Sequence, residues 1–278
     1  MRKPTQRHDH GNIVHVHPVA QVATHTPTDS TTTIAIIPAR YHSKRLPGKP
    51  LLNICGRPMI EHVYRRAQQA KKITGVIVAT DDSRIADVVN GFGGNACLTR
   101  RDHSSGSDRL AEVARTLTCD IVVNVQGDEP LIDPRLIDAV LTSLIKNDET
   151  EITTARCAIT DPQELENPNI VKVVVDRRGD ALYFSRAAIP SSQMSSGTTR
   201  SSLGNKHIGL YAYRRATLLT LADISPTPLE RDEQLEQLRA LESGFRISTV
   251  ETDTVPIGVD TVDDLDRVRR LVSTGTVK

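Results

Sequence analysis

Short apolar runs recur along this chain, each separated from the next by a stretch with helical spacing. Residues 34–37 (IAII), 73–80 (ITGVIVAT) and 120–125 (DIVVNV) are brief and rich in β-branched side chains. Runs of this kind read as strands buried on both faces. Between them, residues 58–70 place Met59, Ile60, Val63, Tyr64 and Ala67 on one helical stripe, with Pro58 at the first helical position. Asp82 or Ser83 caps a helix through residue 89, glycines at 91, 93 and 94 break it, and residues 96–98 form a third, short strand. Further helices are expected over 108–117 and 134–146. Strand and helix in this alternation predict an α/β fold with a doubly wound, mainly parallel sheet. The chain has no Trp, three Phe and five Tyr, so Val, Ile, Leu and Ala must build the core.

The second half changes character. Residues 152–159, 171–176, 181–184 and 206–213 read as strands, with a turn at Arg178-Gly179. They predict a small antiparallel lobe at about 151–213 on the mixed sheet. Residues 191–205, rich in Ser, Thr and Gly, are expected to be a mobile loop. Helices are expected next over 214–222 and 229–243, the second with Leu235, Leu238 and Leu241 on one face. A strand at 246–251 and a helix at 261–272 close the chain. Residues 1–33 carry five of the nine His and no amphipathic period, and are expected to be a disordered tail. The pairs His8/His10 and His15/His17 can chelate a metal, but a solvated tail is the preferred reading.

At 278 residues the chain suits one large α/β domain. A formal net charge of +1 gives no basic field for nucleic acid. Four cysteines, at 55, 97, 119 and 157, form no CxxC pair, and buried reduced thiols in a cytoplasmic protein are expected. No apolar run approaches the ~20 residues of a membrane helix.

Chemistry concentrates where strands end. After residues 34–37 come Pro38 and then Arg40, Lys44, Arg45 and Lys49, interleaved with Pro47, Gly48 and Pro50. A stiff, cation-rich loop at the carboxyl end of a strand is a place to hold a polyanion, and a triphosphate is the working choice. It is not a GxxxxGK[ST] loop, and a solvated charged loop is the competing reading. Gln126-Gly127-Asp128 ends another strand, where a carboxylate can hold Mg²⁺ or merely shape a turn. Asp260 precedes an apolar helix, so it is either a helix cap or a second metal ligand. Ser105, Gly106 and Ser107 sit before a helix and suit either a base or sugar edge or an ordinary N-cap. Arg186 can bind a carboxylate bidentately. His207, Tyr211, Glu236 and Gln237 are open between structural and binding roles.

These segments also resemble one family. The matching pieces are IPARYHSKRLPGKPLL, VIVATDD, TRRDHSSGSDRLAEV, VNVQGDEPLID, NPNIVKVVVD, ALYFSRAAIP, HIGLYAY, SPTPLERDEQLEQLRAL and GVDTVDDLDRVR. In this order they resemble the 3-deoxy-manno-octulosonate (Kdo) cytidylyltransferases, over nearly all of residues 34–272. The resemblance implies a nucleotidyltransferase fold of the glycosyltransferase-A-like kind and a cytoplasmic homodimer. It implies Mg²⁺-dependent transfer of a cytidylyl group from CTP to the anomeric hydroxyl of Kdo, with loss of pyrophosphate, for lipopolysaccharide synthesis. By position, Arg40, Arg45 and Lys49 should hold the triphosphate. Arg101, Ser105, Gly106, Ser107 and Gln126 should lie at the cytidine. Asp128 and Asp260 should bind Mg²⁺, with Lys49 part of the catalytic set. Arg186, His207, Tyr211, Glu236 and Gln237 should line the Kdo pocket. Residues 191–205 lack the aromatic and acidic residues expected after the IP pair. The alternatives are an acylneuraminate cytidylyltransferase and a nucleotide-sugar-binding protein without catalysis.

Overall fold

The computed structural model describes residues 31–42, 45–103, 105–191 and 202–275. Most of the expected tail and of the expected mobile loop lies outside the described residues. In order, the chain forms β1 (Thr33–Ala39), a 3-10 turn (Lys49–Leu51), β2 (Asn53–Ile54), β3 (Arg57–Pro58), α1 (Met59–Gln69), β4 (Gly75–Thr80) and α2 (Ser83–Gly91). Then come β5 (Ala96–Leu98), α3 (Gly106–Arg115), β6 (Ile121–Asn124), α4 (Pro134–Lys146), β7 (Ile152–Ile159) and α5 (Pro162–Glu166). The rest is β8 (Lys172–Val175), β9 (Ala181–Ser185), β10 (Gly204–Arg214), α6 (Arg215–Asp223), α7 (Pro228–Glu233), α8 (Gln237–Glu242), β11 (Ile247–Glu251) and α9 (Val262–Ser273).

The strand order β11-β7-β10-β6-β1-β4-β5 explains why the apolar runs carry no alternation. In β1, Ala35 and Ile37 face a core shared with α1, α2 and α4, while Ile36 faces a core shared with α3, α6 and α8. All three are fully buried. β1 pairs in parallel with both β4 and β6. The chain leaves β1 towards β4 and β5 on one side, then returns to β6 on the other. The carboxyl ends of β1 and β6 therefore flank the point where strand order reverses, the position at which open α/β sheets form their ligand crevice.

β10 runs antiparallel to both β6 and β7, and the other strands of the main path share one direction. The antiparallel region continues the main sheet: β8 and β9 form a hairpin about Gly179, at φ +87°, and β8 pairs with the start of β10. Between Ile208 and Tyr211 the register of β10 shifts.

Two expectations need correction. The helix expected over 229–243 is two helices, α7 and α8, broken at Gln234, which takes a left-handed conformation at φ +55°. Of the four cysteines only Cys157 is buried, and Cys55 is exposed in the β2–β3 turn. No helix among the described residues is long and apolar enough to cross a membrane.

Candidate active site

The 3-10 turn carries the first functional side chain. Gly48, at φ +67°, donates its N–H to the Tyr41 carbonyl, and a Cβ there would press on the Tyr41 ring at 3.3 Å. That compact turn aims Lys49 back across the end of β1. Gly127, just beyond β6, serves close approach: a Cβ would sit 2.6 Å from the Pro38 carbonyl. Only glycine lets these two strand ends come so close.

The third contributor arrives from the far end of the chain. α9 packs Leu265 and Val268 against Ile54, Met59 and Leu131. The Val259 N–H then bonds to the Asp128 carbonyl at 2.9 Å. Lys49 Nζ lies 2.7 Å from Asp128 Oδ2 and 3.1 Å from Asp260 Oδ1, and Arg45 reaches Asp260 at 3.0 Å. These groups, with Arg40, line an open cavity of about 390 Å³. Arg40 also donates to the His103 carbonyl at 3.3 Å.

The competing structural roles fall to other residues. α9 is capped by Thr261, whose hydroxyl accepts from the Asp264 N–H, while Asp264 accepts from the Asp260 and Thr261 N–H groups. Asp260 therefore keeps its carboxylate free of capping. α4 is capped by Asp133, not by Asp128. Burial alone would lower the Lys49 pKa, but Asp128 and Asp260 outweigh it and hold it above its ordinary value. Beside them, burial pushes the Glu129 carboxyl up to about 8, and its Oε2 has no hydrogen-bond partner among the described residues.

The two carboxylates converge on one ammonium, so both can reach one cation. Among the described residues no cluster of three or more His, Cys, Asp or Glu is arranged for a metal. Two hard oxygen ligands with room for phosphate and water suit Mg²⁺, which leans on one or two carboxylates.

A second cavity, of about 360 Å³, shares Pro38 and Gln126 with the first. Gln126 Nε2 donates to the Gly209 carbonyl at 3.0 Å, where β10 changes register. His207, Tyr211, Glu236 and Gln237 all line this cavity, with Gly106 and Ser107 opposite. Glu236 accepts from the Gly106 and Ser107 N–H groups at 3.3 Å and from the Ser107 hydroxyl at 2.6 Å, so it answers the N-terminus of α3. Ser105 is an ordinary cap of α3, accepting from the Asp108 N–H. Burial depresses the His207 pKa to about 3, which keeps the imidazole neutral. Burial raises the Tyr211 phenol well above 10.

Besides Ser105, two expected residues stand apart from both linings. Arg101 is exposed and borders neither cavity. Arg186 has its guanidinium committed to the carbonyls of Glu233 (2.9 Å), Pro168 (3.2 Å) and Gln234 (3.4 Å). It braces the break between α7 and α8, the break that turns Glu236 and Gln237 into the cavity. Arg186 is held in turn by Lys172, a fully buried lysine whose ammonium donates to the carbonyls of Asn167, Ile170 and Arg186. Sequence reasoning passed over Lys172, Glu129 and Asn124. Asn124 lines the second cavity, and its only sequence signal is an amide closing an apolar strand.

Cations and paired carboxylates at a switch point, beside a polar-mouthed second cavity, define the class: a nucleotidyltransferase. The family model described as "Cytidylyltransferase" matches residues 34–247. A 3-deoxy-manno-octulosonate cytidylyltransferase from Syntrophotalea carbinolica is 54% identical over 239 residues, covering 84% of this chain and 96% of the relative. The protein of that name from Geobacter metallireducens is 51% identical over 241 residues, covering 84% and 95%. A solved structure of CMP:2-keto-3-deoxy-manno-octonic acid synthetase complexed with CTP superposes with a TM-score of 0.83 at 44% identity, covering 88% of this chain and all of that one. The chain belongs to the cytidylyltransferase family, in its 3-deoxy-manno-octulosonate cytidylyltransferase branch.

Proposed function

We propose that this protein transfers the cytidylyl group of CTP to the anomeric hydroxyl of Kdo, releasing pyrophosphate. The observation that carries the reading is the meeting of the two cavities at Pro38 and Gln126, one lined by cations and carboxylates and the other by hydrogen-bonding groups (Ser107, Asn124, His207, Tyr211, Glu236, Gln237) set among apolar side chains. A triphosphate suits the first and a polyhydroxylated sugar acid the second, with the α-phosphorus near the boundary. Arg40, Arg45 and Lys49 neutralise phosphate charge, and Gln126 stands between the two substrates. His207, Tyr211, Glu236 and Gln237 orient the sugar, and Arg186 positions two of them. Transfer at phosphorus needs positioning and charge neutralisation more than covalent help. Asp128 and Asp260 would hold Mg²⁺, which when bound lowers the pKa of a coordinated hydroxyl and neutralises phosphate. No separate strong base is then required.

The same reading includes a cytoplasmic homodimer serving lipopolysaccharide synthesis, with the antiparallel region at about 151–213 contributing to the sugar site and the dimer. The test is pyrophosphate release from CTP with Kdo, with an acylneuraminate and with no sugar. Release is expected with Kdo alone. Release that requires the acylneuraminate and ignores Kdo would overturn the choice of sugar.

A further inference from the structure

Two polar groups in the second cavity have hydrogen-bonding capacity that the described residues leave unfilled. Asn124 ends β6 and is 6% exposed, and Tyr211, opposite it on β10, is 7% exposed. Residues directly opposed in an antiparallel pair project to the same face, and both line this cavity. Asn124 Oδ1 and the Tyr211 hydroxyl are buried; Asn124 Oδ1 has no hydrogen-bond partner among the described residues, and the Tyr211 hydroxyl has only the Thr154 hydroxyl beside it. Their neighbours along this row of the sheet are Ile36 on β1 and Thr154 on β7. Ile36 is apolar core. The Thr154 hydroxyl lies beside Tyr211, but the carbonyls of Ile208 and Leu210 and the Nε2 of His207 share its hydrogen bonding, so the proton of the Tyr211 O–H is left to give elsewhere.

A buried polar atom without a partner forfeits the hydrogen bond it had with water, and native folds hold few of them. Leucine and phenylalanine would fill the same space without that cost. The pair therefore requires an answer from outside the chain. We propose that Asn124, together with Tyr211, reads one hydroxyl group of the acceptor sugar, which makes Asn124 a specificity-determining residue. This rests on the second cavity being the sugar's seat. A hydroxyl gives its proton to Asn124 Oδ1 and accepts one from the Tyr211 O–H. A carboxylate has no proton to give, and a methylene satisfies neither group. The pair selects a hydroxylated ring carbon over its deoxy counterpart, and the sugar's carboxylate lies elsewhere in the cavity.

The test compares kcat/KM for Kdo with that for its monodeoxy analogues, in the parent, in Asn124→Leu and in Tyr211→Phe. The parent should reject one analogue by about 100-fold or more, because a site built around a hydroxyl discriminates strongly against its loss. In Asn124→Leu that preference should shrink to about threefold or less, while the preference for CTP over 2′-deoxy-CTP stays as in the parent. The melting temperature of Asn124→Leu should equal or exceed the parent's, since an unpaired polar atom has gone. Asn124→Ala carries the same comparison should leucine not fit. Full retention of the parent's discrimination in both Asn124 variants overturns the inference. So does a change confined to 2′-deoxy-CTP, which would put the ribose at this pair. A parent that ignores Kdo but uses another sugar acid refutes the proposed function instead, and deoxy analogues of that sugar then decide the role of Asn124 in the same way.

Discussion

Val259 donates its backbone N–H to the carbonyl of Asp128 at 2.9 Å, joining the carboxyl end of β6 to the segment that enters α9. The bond is main chain to main chain. It places the side chains of Asp128 and Asp260 on one ammonium, yet it does not depend on either carboxylate.

Replacing either aspartate should therefore spare the fold. Asp128 and Asp260 side chains are 33% and 50% exposed. Asp128→Asn and Asp260→Asn should each lower kcat by at least about 100-fold, as expected for loss of charge stabilisation at the reacting phosphate. The melting temperature should stay near that of the parent. Pyrophosphate release at saturating CTP and Mg²⁺, beside a thermal melt, checks both. Full turnover in either variant would remove that aspartate from the reaction.

Lys49 should behave as an internal counter-ion. Its ammonium sits where the two carboxylates converge, so a metal arriving without nucleotide must displace it. Lys49→Met should weaken CTP binding by about tenfold or more, the scale of one charge-assisted hydrogen bond. It should also tighten binding of Mn²⁺ alone. Titration of both ligands by calorimetry or spin resonance gives the two signs, and weaker Mn²⁺ binding in the variant would contradict this role.

Arg186 should act through the cavity wall. Arg186→Met leaves three carbonyls without their donor and frees the break at Gln234. The KM for Kdo should rise by about tenfold, against less than about twofold for CTP. Arg186→Lys should fail to restore it, since a single ammonium nitrogen cannot reach carbonyls that the guanidinium meets from three spread nitrogens, Nε, Nη1 and Nη2. Equal effects on both substrates would indicate general loosening of the fold.

Glu129 should make stability depend on pH. Its folded pKa, about 8, lies above its ordinary value of 4.5. The folded state thus holds a proton that the unfolded chain releases between those values. The stability this provides is complete below pH 4.5 and is lost as pH rises towards 8, by up to about 1.4 kcal/mol per unit. Glu129→Gln should melt with the parent at low pH and progressively above it towards pH 8. Parallel melting curves across that range would contradict the buried, proton-holding carboxyl.

The parallel strands were legible because burial on both faces leaves a mark, as the unbroken run Ala35-Ile36-Ile37 shows. Loop cations and strand-end carboxylates were legible as residue types in a suitable place. Their meeting was not, because α9 and the Val259–Asp128 bond are tertiary facts with no local spacing. The break at Gln234 was invisible for a related reason. Leu235, Leu238 and Leu241 fit a continuous helix, no glycine or proline interrupts them, and the left-handed turn is held from outside by Arg186. Ser105 was legible by the local rule alone, as the N-cap of α3.

The corner at Gln234 also bears on how this chain can change over generations. Each residue of a helix rotates its successor by about 100° around the axis. A substitution near the corner leaves the bearing of α8 intact, whereas one inserted or deleted residue in α7 swings Glu236 and Gln237 out of register with the cavity. Drift in this part of the gene should thus accumulate as replacements, at constant length.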